Sequence, residues 1–250
     1  MVCTPSAAEC VGNVARVCAQ TGDQWNEFNC SNGCDAGKCN PINLEQGWSI
    51  HQFNLLNDSI KTPASYAFEN NGLVATQSRN PMASVYLNDT VLPESVVVTG
   101  RFSVETSADD DLIGFVFGWQ DPEHFYLLDW KQTDQSDRSC GLAEEGATLK
   151  VASSVTTLDD CTDFWRSAGT DRVKPIVPVN RNTKGWDDRV VYDIRLVFRP
   201  GEINIQITQG TTEVVSISSR DKTYTSGKFG FYNYSQQGVR YEFFSISPID

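Results

Sequence analysis

The chain has 250 residues, 40% hydrophobic, 21% charged and 11% aromatic, a balance that excludes an intrinsically disordered polypeptide. Its formal charge of −12 excludes a nucleic-acid partner, since phosphate recognition needs a basic face, and favours cations or cationic partners instead. No apolar run approaches the roughly 18–20 residues of a membrane-spanning helix, so membrane insertion is not expected.

Residues 1–40 carry six of the eight cysteines, Cys3, Cys10, Cys18, Cys30, Cys34 and Cys39. A segment this short cannot hold itself together by apolar burial alone. Its candidate core is sparse: Val11, Val14, Val17, Trp25 and Phe28. Three disulfides would supply stability by restricting the unfolded chain, and fifteen pairings are open. Zinc is the rival, but no CxxC pair exists and His51 and His124 are the only histidines. Met1-Val2 runs straight into Cys3 with no signal peptide, and the cysteines themselves carry the expectation of a secreted or cell-surface protein. The stretch "NPINLEQGW" (40–48) leads into a second part, residues 45–250.

From there the pattern has period two. "VVVTGRFSVET" (96–106) reads as a strand, and "LIGFVFGW" (112–119) and "FYLLDWK" (125–131) form a hairpin turned at Asp121-Pro122. In the first arm Ile113, Phe115, Phe117 and Trp119 share one face, with Gly114 and Gly118 on the other. A strand apolar on both sides is central, and its glycines mark a close approach, most simply from a second sheet. In the return arm Tyr126, Leu128 and Trp130 face one way. Asp129 lies opposite, between Leu127 and Lys131, where a charge must be paired or metal-bound. "TTLDDCTDFWRSAG" (156–169) holds the one expected short helix. "YDIRLVF" (192–198) turns Ile194, Leu196 and Phe198 inward and Asp193 and Arg195 outward. "RPGE" (199–202) is a turn, and "INIQI" (203–207) alternates with Ile203, Ile205 and Ile207 on one face. "KFGFYNY" (228–234) and "VRYEFFSI" (239–246) complete the set. Many strands between Asn, Gly and Pro turns predict an all-β jelly-roll sandwich of two antiparallel sheets.

The hairpin begins at "DDD" (109–111). Adjacent aspartates repel one another, and a bound dication would remove that cost. Ca²⁺, with its roughly six to eight oxygen ligands, suits a carboxylate loop backed by carbonyls. The competing reading is a solvated turn. "TLDDC" (Asp159, Asp160) and "GWDD" (Asp187, Asp188) read as surface turns.

"DDDLIGFVFGWQ" with "FYLLDWKQ" resembles the C-terminal lectin-like domain of thrombospondins, whose pattern is DDD-x-x-GFVFGYQ and FYVVMWKQ. The resemblance continues through "FWRSAGTD" (164–171), "GWDD" (185–188), "FRPGEINIQI" (198–207), "DKTYTSGKFGFYNYSQ" (221–236) and "VRYEFFSI". It implies the jelly roll shared with L-type lectins and bound calcium, for which Asp109, Asp110 and Asp111 are the first ligands expected. A more distant likeness to L-type lectins makes Asp111 similar to their sugar-binding aspartate. It puts Asp129, Asp134 and Asp137 where their metal-binding acids lie, although the thrombospondin pattern has Met at position 129. Asp111, Asn233 and Tyr234 are the expected ligand-binding residues. The pair Cys140–Cys161 would tie the segment after the hairpin to "TDFWRS" (162–167), near the expected metal. The six-cysteine module resembles short cysteine repeats of secreted bacterial proteins. No RGD and no coiled-coil heptads are present, so no oligomer is implied.

Catalysis is not expected. The ExDxE pattern of jelly-roll glycosidases and a GxSxG nucleophile elbow are both absent, and His124 reads as a turn residue. The expectation is a non-enzymatic, calcium-dependent adhesion or recognition module that binds a glycan or an extracellular or surface protein. The alternative is a carbohydrate-binding accessory module of a larger polysaccharide-degrading enzyme. Glycosylation sequons stand at Asn29, Asn57, Asn88 and Asn233.

Overall fold

The computed structural model describes residues 1–53, 63–179 and 182–249. The first part contains β1 (Ala8–Val11), β2 (Val14–Cys18), β3 (Trp25–Asn29), β4 (Cys34–Asp35) and β5 (Lys38–Cys39). The chain continues through β6 (Trp48–Gln52), β7 (Tyr66–Glu69), β8 (Val74–Gln77), β9 (Ser84–Asn88), β10 (Val96–Val104), β11 (Leu112–Asp121) and β12 (His124–Lys131). Next come β13 (Gln135–Asp137), β14 (Gly141–Ala143), β15 (Gly146–Ser153) and β16 (Val173–Val177). The last strands are β17 (Tyr192–Arg199), β18 (Glu202–Gln209), β19 (Thr212–Ser219), β20 (Lys228–Tyr234) and β21 (Val239–Pro248).

Two seven-stranded antiparallel sheets face each other. The back sheet runs β19-β18-β17-β10-β21-β8-β7 and the front sheet β16-β15-β12-β11-β20-β9-β6. This is the sandwich that period-two patterning predicts. Ile194, Leu196, Phe198, Ile203, Ile205 and Ile207 from the back sheet meet Phe115, Phe117, Tyr126, Leu128 and Trp130 from the front. Each fully buried side chain of this kind contributes about 1.5–3 kcal/mol of hydrophobic stabilisation.

The front sheet has a second, smaller core on its outer face. There Leu112, Val116, Phe125, Leu127 and Tyr232 pack against Phe53, Leu158, Phe164 and Trp165. The expected helix is a single six-residue π-type turn, Asp160–Trp165, whose N-terminus is capped by the Asp159 carboxylate accepting from Thr162 N–H. Cys140–Cys161 fastens this covering segment.

The central strand is apolar on both faces, as expected, but one residue is not where alternation puts it. Trp119 packs in the outer core and not with Ile113, Phe115 and Phe117. The register slips between Phe117 and Asp121, and Gly118 adopts φ +59, a bulge that reverses the parity of the residues beyond it. Gly114 is also explained differently. A Cβ there would lie 1.9 Å from the Leu128 carbonyl oxygen, so the close neighbour is the paired strand and not the second sheet.

The cysteine module consists of the sheet β1-β2-β3 and the hairpin β4-β5, stapled by Cys3–Cys18, Cys10–Cys34 and Cys30–Cys39. Its core is Ala15 with Cys30 and Cys39, flanked by Phe28. Val11, a candidate core residue, is 51% exposed, and Val14, Val17 and Trp25 are only half-buried. The disulfides take the place of that missing apolar core. The module lies on the outer face of the back sheet: Cys39 N–H donates to Ser247 Oγ (2.9 Å), and Ser245 Oγ donates to the Cys39 carbonyl (2.8 Å).

Candidate functional site

The acidic loop enters β11 at one end of the front sheet. Asp109, Asp110 and Asp111 bring carboxylate oxygens within 4.8 Å of one another. Their positions are fixed by neighbours. Asn80 Nδ2 donates to Asp109, Thr133 Oγ1 donates to Asp110 Oδ2 (2.7 Å), and Asp111 N–H donates to Gln236 Oε1 (2.9 Å).

A lysine sits among them. β12 ends at Lys131, paired with Leu112, and its side chain is 1% exposed. Its Nζ donates to the Asp110 carbonyl (2.5 Å), Asp110 Oδ1 (2.7 Å), Gln135 Oε1 (2.9 Å) and Asp111 Oδ1 (3.2 Å), with the Trp165 ring 5.5 Å away. The loop therefore already surrounds one cation with oxygen. Burial raises the Asp110 carboxyl, but the hydrogen bonds from Lys131 and Thr133 outweigh it and hold the group below its ordinary range. Asp111 behaves oppositely. Burial pushes it up to about 7; Lys131 opposes the shift, and the neighbouring Asp109 charge adds to it.

Three carboxylates against one ammonium leave an excess of negative charge on Asp109 and Asp111. A calcium ion would neutralise that excess, and the all-oxygen donor set suits a hard dication. The residues fit the ion on the Asp109–Asp111 side, with Asp110 already committed to Lys131.

The other expected metal ligands stand apart. Asp129 is buried on the outer face of the front sheet, its Oδ2 2.5 Å from Lys150 Nζ, which also donates to the Arg166 carbonyl. Burial raises its carboxyl while Lys150 holds it down. The charge that sequence parity singled out is thus paired with a lysine. Asp134 is exposed and accepts from Glu145 N–H (2.6 Å); Asp137 accepts from Ser139 and Cys140 N–H in a turn. Cys140 and Cys161 lie beside Asp137 but are joined to each other, so they offer no thiolate.

Beside the loop opens a cleft of about 260 Å³ lined by Asp111, Gln135, Ser136, Asp137, Trp165 and Tyr234. Tyr234 lines it, edge-on to Trp165 at 5.6 Å between ring centres, its hydroxyl pushed up by burial and by Asp160. Asn233 does not reach it. Phe229, Phe231 and Asn233 share the inner face, and Asn233 Nδ2 donates to Tyr241 OH (2.8 Å) and Tyr66 OH (3.4 Å). Sequence reasoning missed Lys131, Gln135 and Trp165. The parity that buries Asp129 also buries Lys131, and that was the available signal. Of the sequons, Asn29 is exposed, Asn88 and Asn233 are buried, and Asn57 lies outside the described residues.

A family model described as the thrombospondin C-terminal region matches residues 61–248, leaving the six-cysteine module outside the match. Thrombospondin-4-B of Danio rerio is 33% identical over 181 residues, covering 68% of this chain and 19% of the relative. Thrombospondin-2 of Homo sapiens is 33% identical over 180 residues, covering 67% and 15%. The chain thus spans less than a fifth of the length of these relatives. Among solved structures, the VIP36 exoplasmic/lumenal domain in its Ca²⁺/Man-bound form superposes with a TM-score of 0.53 at 9% identity, covering 81% of this chain and 83% of that one. The carbohydrate-binding module CBM66 from Bacillus subtilis gives 0.51 at 10% identity, covering 80% and 95%. Both show a shared lectin-like fold.

Proposed function

This chain belongs to the thrombospondin C-terminal family, and on that premise we propose that it is a calcium-dependent recognition module whose ligand site is the cleft beside Asp111. Family membership and four disulfides place the protein outside the cell, secreted or at the cell surface, and support an adhesion or recognition role. The division into a stapled module (1–40) and a lectin-like sandwich (45–250) is part of the same proposal, as is the absence of catalysis.

One observation carries the reading: a carboxylate buried at the head of the central strand, crowded by a second, opens into a polar cleft. Calcium held by Asp109 and Asp111 would supply fixed positive charge and keep Asp111 ionised. Asp111, Asp137 and Gln135 would then accept or donate hydrogen bonds to ligand hydroxyls, with Trp165 and Tyr234 lining the same cleft. A neutral glycan is the ligand class this lining suits. Glycan-array binding in calcium and in EDTA tests it: calcium-dependent binding that Asp137→Asn and Gln135→Ala weaken is expected. The same pattern of binding in EDTA would exclude it.

A further inference from the structure

We propose that the seam between the disulfide module and the back sheet is a second ligand site, and that its ligand is an acidic glycan built from uronic-acid sugars. A cavity of about 300 Å³ lies there, bounded by Val17, Gly37 and Lys38 of the module and by Val97, Thr99 and Arg195 of the sheet. Thr99 also lines an adjoining groove of about 320 Å³ that holds Arg101, Asp193 and Phe243, so the two form one trough.

In a chain of charge −12 the trough gathers Lys38, Arg195 and Arg101. Arg101 is paired with Asp193 (3.2 Å), whereas among the described residues neither Lys38 nor Arg195 is in an ion pair. Both are exposed and line the same cavity from opposite parts of the protein. An ammonium and a guanidinium that line one cavity without an ion-pair partner suit a carboxylate, the guanidinium binding it bidentately.

The register sets the spacing. Arg195, Thr99 and Ser245 form one row across β17, β10 and β21, and Asp193 with Arg101 forms the next row on that face. Two residues along a strand separate them by about 6.6 Å. At the second row β21 carries a bulge. Phe243 takes φ +52 and is 39% exposed, while Phe244 turns into the core over Gly100. An aromatic residue left exposed at the backbone's expense, beside an arginine, is placed to stack against a sugar face.

An acidic peptide fits less well. Extended peptides usually gain affinity by pairing with a free sheet edge, and β10, β17 and β21 are interior strands bonded on both sides. The trough offers side chains only. It lies on the opposite sheet from the Asp111 cleft and needs no calcium.

Calorimetric titration of the full chain with a galacturonic-acid hexasaccharide, at about 50 mM and about 200 mM salt, tests the proposal. Binding is expected that weakens with salt and falls at least about tenfold in Lys38→Gln/Arg195→Gln and severalfold in Phe243→Ala. Melting midpoints of both variants should stay at the parent value, and Asp109→Asn or EDTA should leave the affinity unchanged. No binding at low salt, an unchanged affinity in the double variant, or loss in Asp109→Asn would each overturn it. Hexaglutamate binding as tightly as the hexasaccharide would overturn the glycan assignment.

Discussion

The ammonium of Lys131 lies 2.7 Å from Asp110 Oδ1 and 3.2 Å from Asp111 Oδ1, inside a loop of three consecutive carboxylates. The end of strand β12 thus supplies the acidic loop with a permanent counter-charge. One ammonium cannot balance three carboxylates, and the remainder defines where a dication would go.

Removing that counter-charge should cost stability in a pH-dependent way. Lys131→Met leaves Asp110 and the buried Asp111 without their partner; Asp111, already raised to about 7, then takes up a proton, so the loss of stability is small near neutral pH and grows as pH rises above about 7. Urea unfolding in EDTA should show this loss. Adding Asp111→Asn should recover part of that loss above about pH 7, because the double variant has no buried carboxyl left to ionise.

The second buried pair makes a similar case on the same sheet. Asp129→Leu strands Lys150, whose side chain is fully buried, and should cost about 3–5 kcal/mol. Asp129→Leu with Lys150→Met replaces both charges by apolar groups and should return close to the parent stability. Equal losses in the single and double variants would mean that the pair is not what the substitution removed.

Asp111 sets a pH dependence for the calcium-free protein. Its folded carboxyl is raised to about 7, above the unfolded value of about 3.9, so the folded state binds the extra proton between them. The stabilisation is full below about pH 4 and is lost as pH rises through about 7. In EDTA the contribution of Asp111 should therefore fall across this window, and Asp111→Asn should flatten that part of the stability curve. Calcium should stabilise more strongly at the upper end, where the carboxylate is ionised.

Cys140–Cys161 closes a loop with a sequence separation of 21 and lines the cleft with Cys140. Replacing both by serine should cost roughly 3 kcal/mol through the freed unfolded chain. Ligand affinity should drop as well, since the segment carrying Trp165 loses its anchor. Thermal melting and glycan titration of the same variant measure the two effects separately.

Strand positions were legible in the sequence because period-two alternation is local: Ile203, Ile205 and Ile207 are buried together as their spacing requires. Parity also carried information left unused. It places Asn233 with Phe229 and Phe231 on the inner face, and Lys131 with Asp129 on the outer one. Trp119 could not be placed by counting, because the bulge at Gly118 resets the alternation. The partners Asp110–Lys131 and Asp129–Lys150 were hidden for another reason. Each joins residues 21 apart, and only the register of paired strands brings them together.

The most direct measurement is the melting midpoint of the full chain titrated with calcium against EDTA, alongside Asp109→Asn. Calcium at about a hundred times its dissociation constant stabilises by about 2.7 kcal/mol. A chain of this size should then melt several degrees higher, and Asp109→Asn should remove most of that shift. A midpoint that calcium leaves unmoved would contradict a calcium site at Asp109 and Asp111 and leave Lys131 as the loop's own cation.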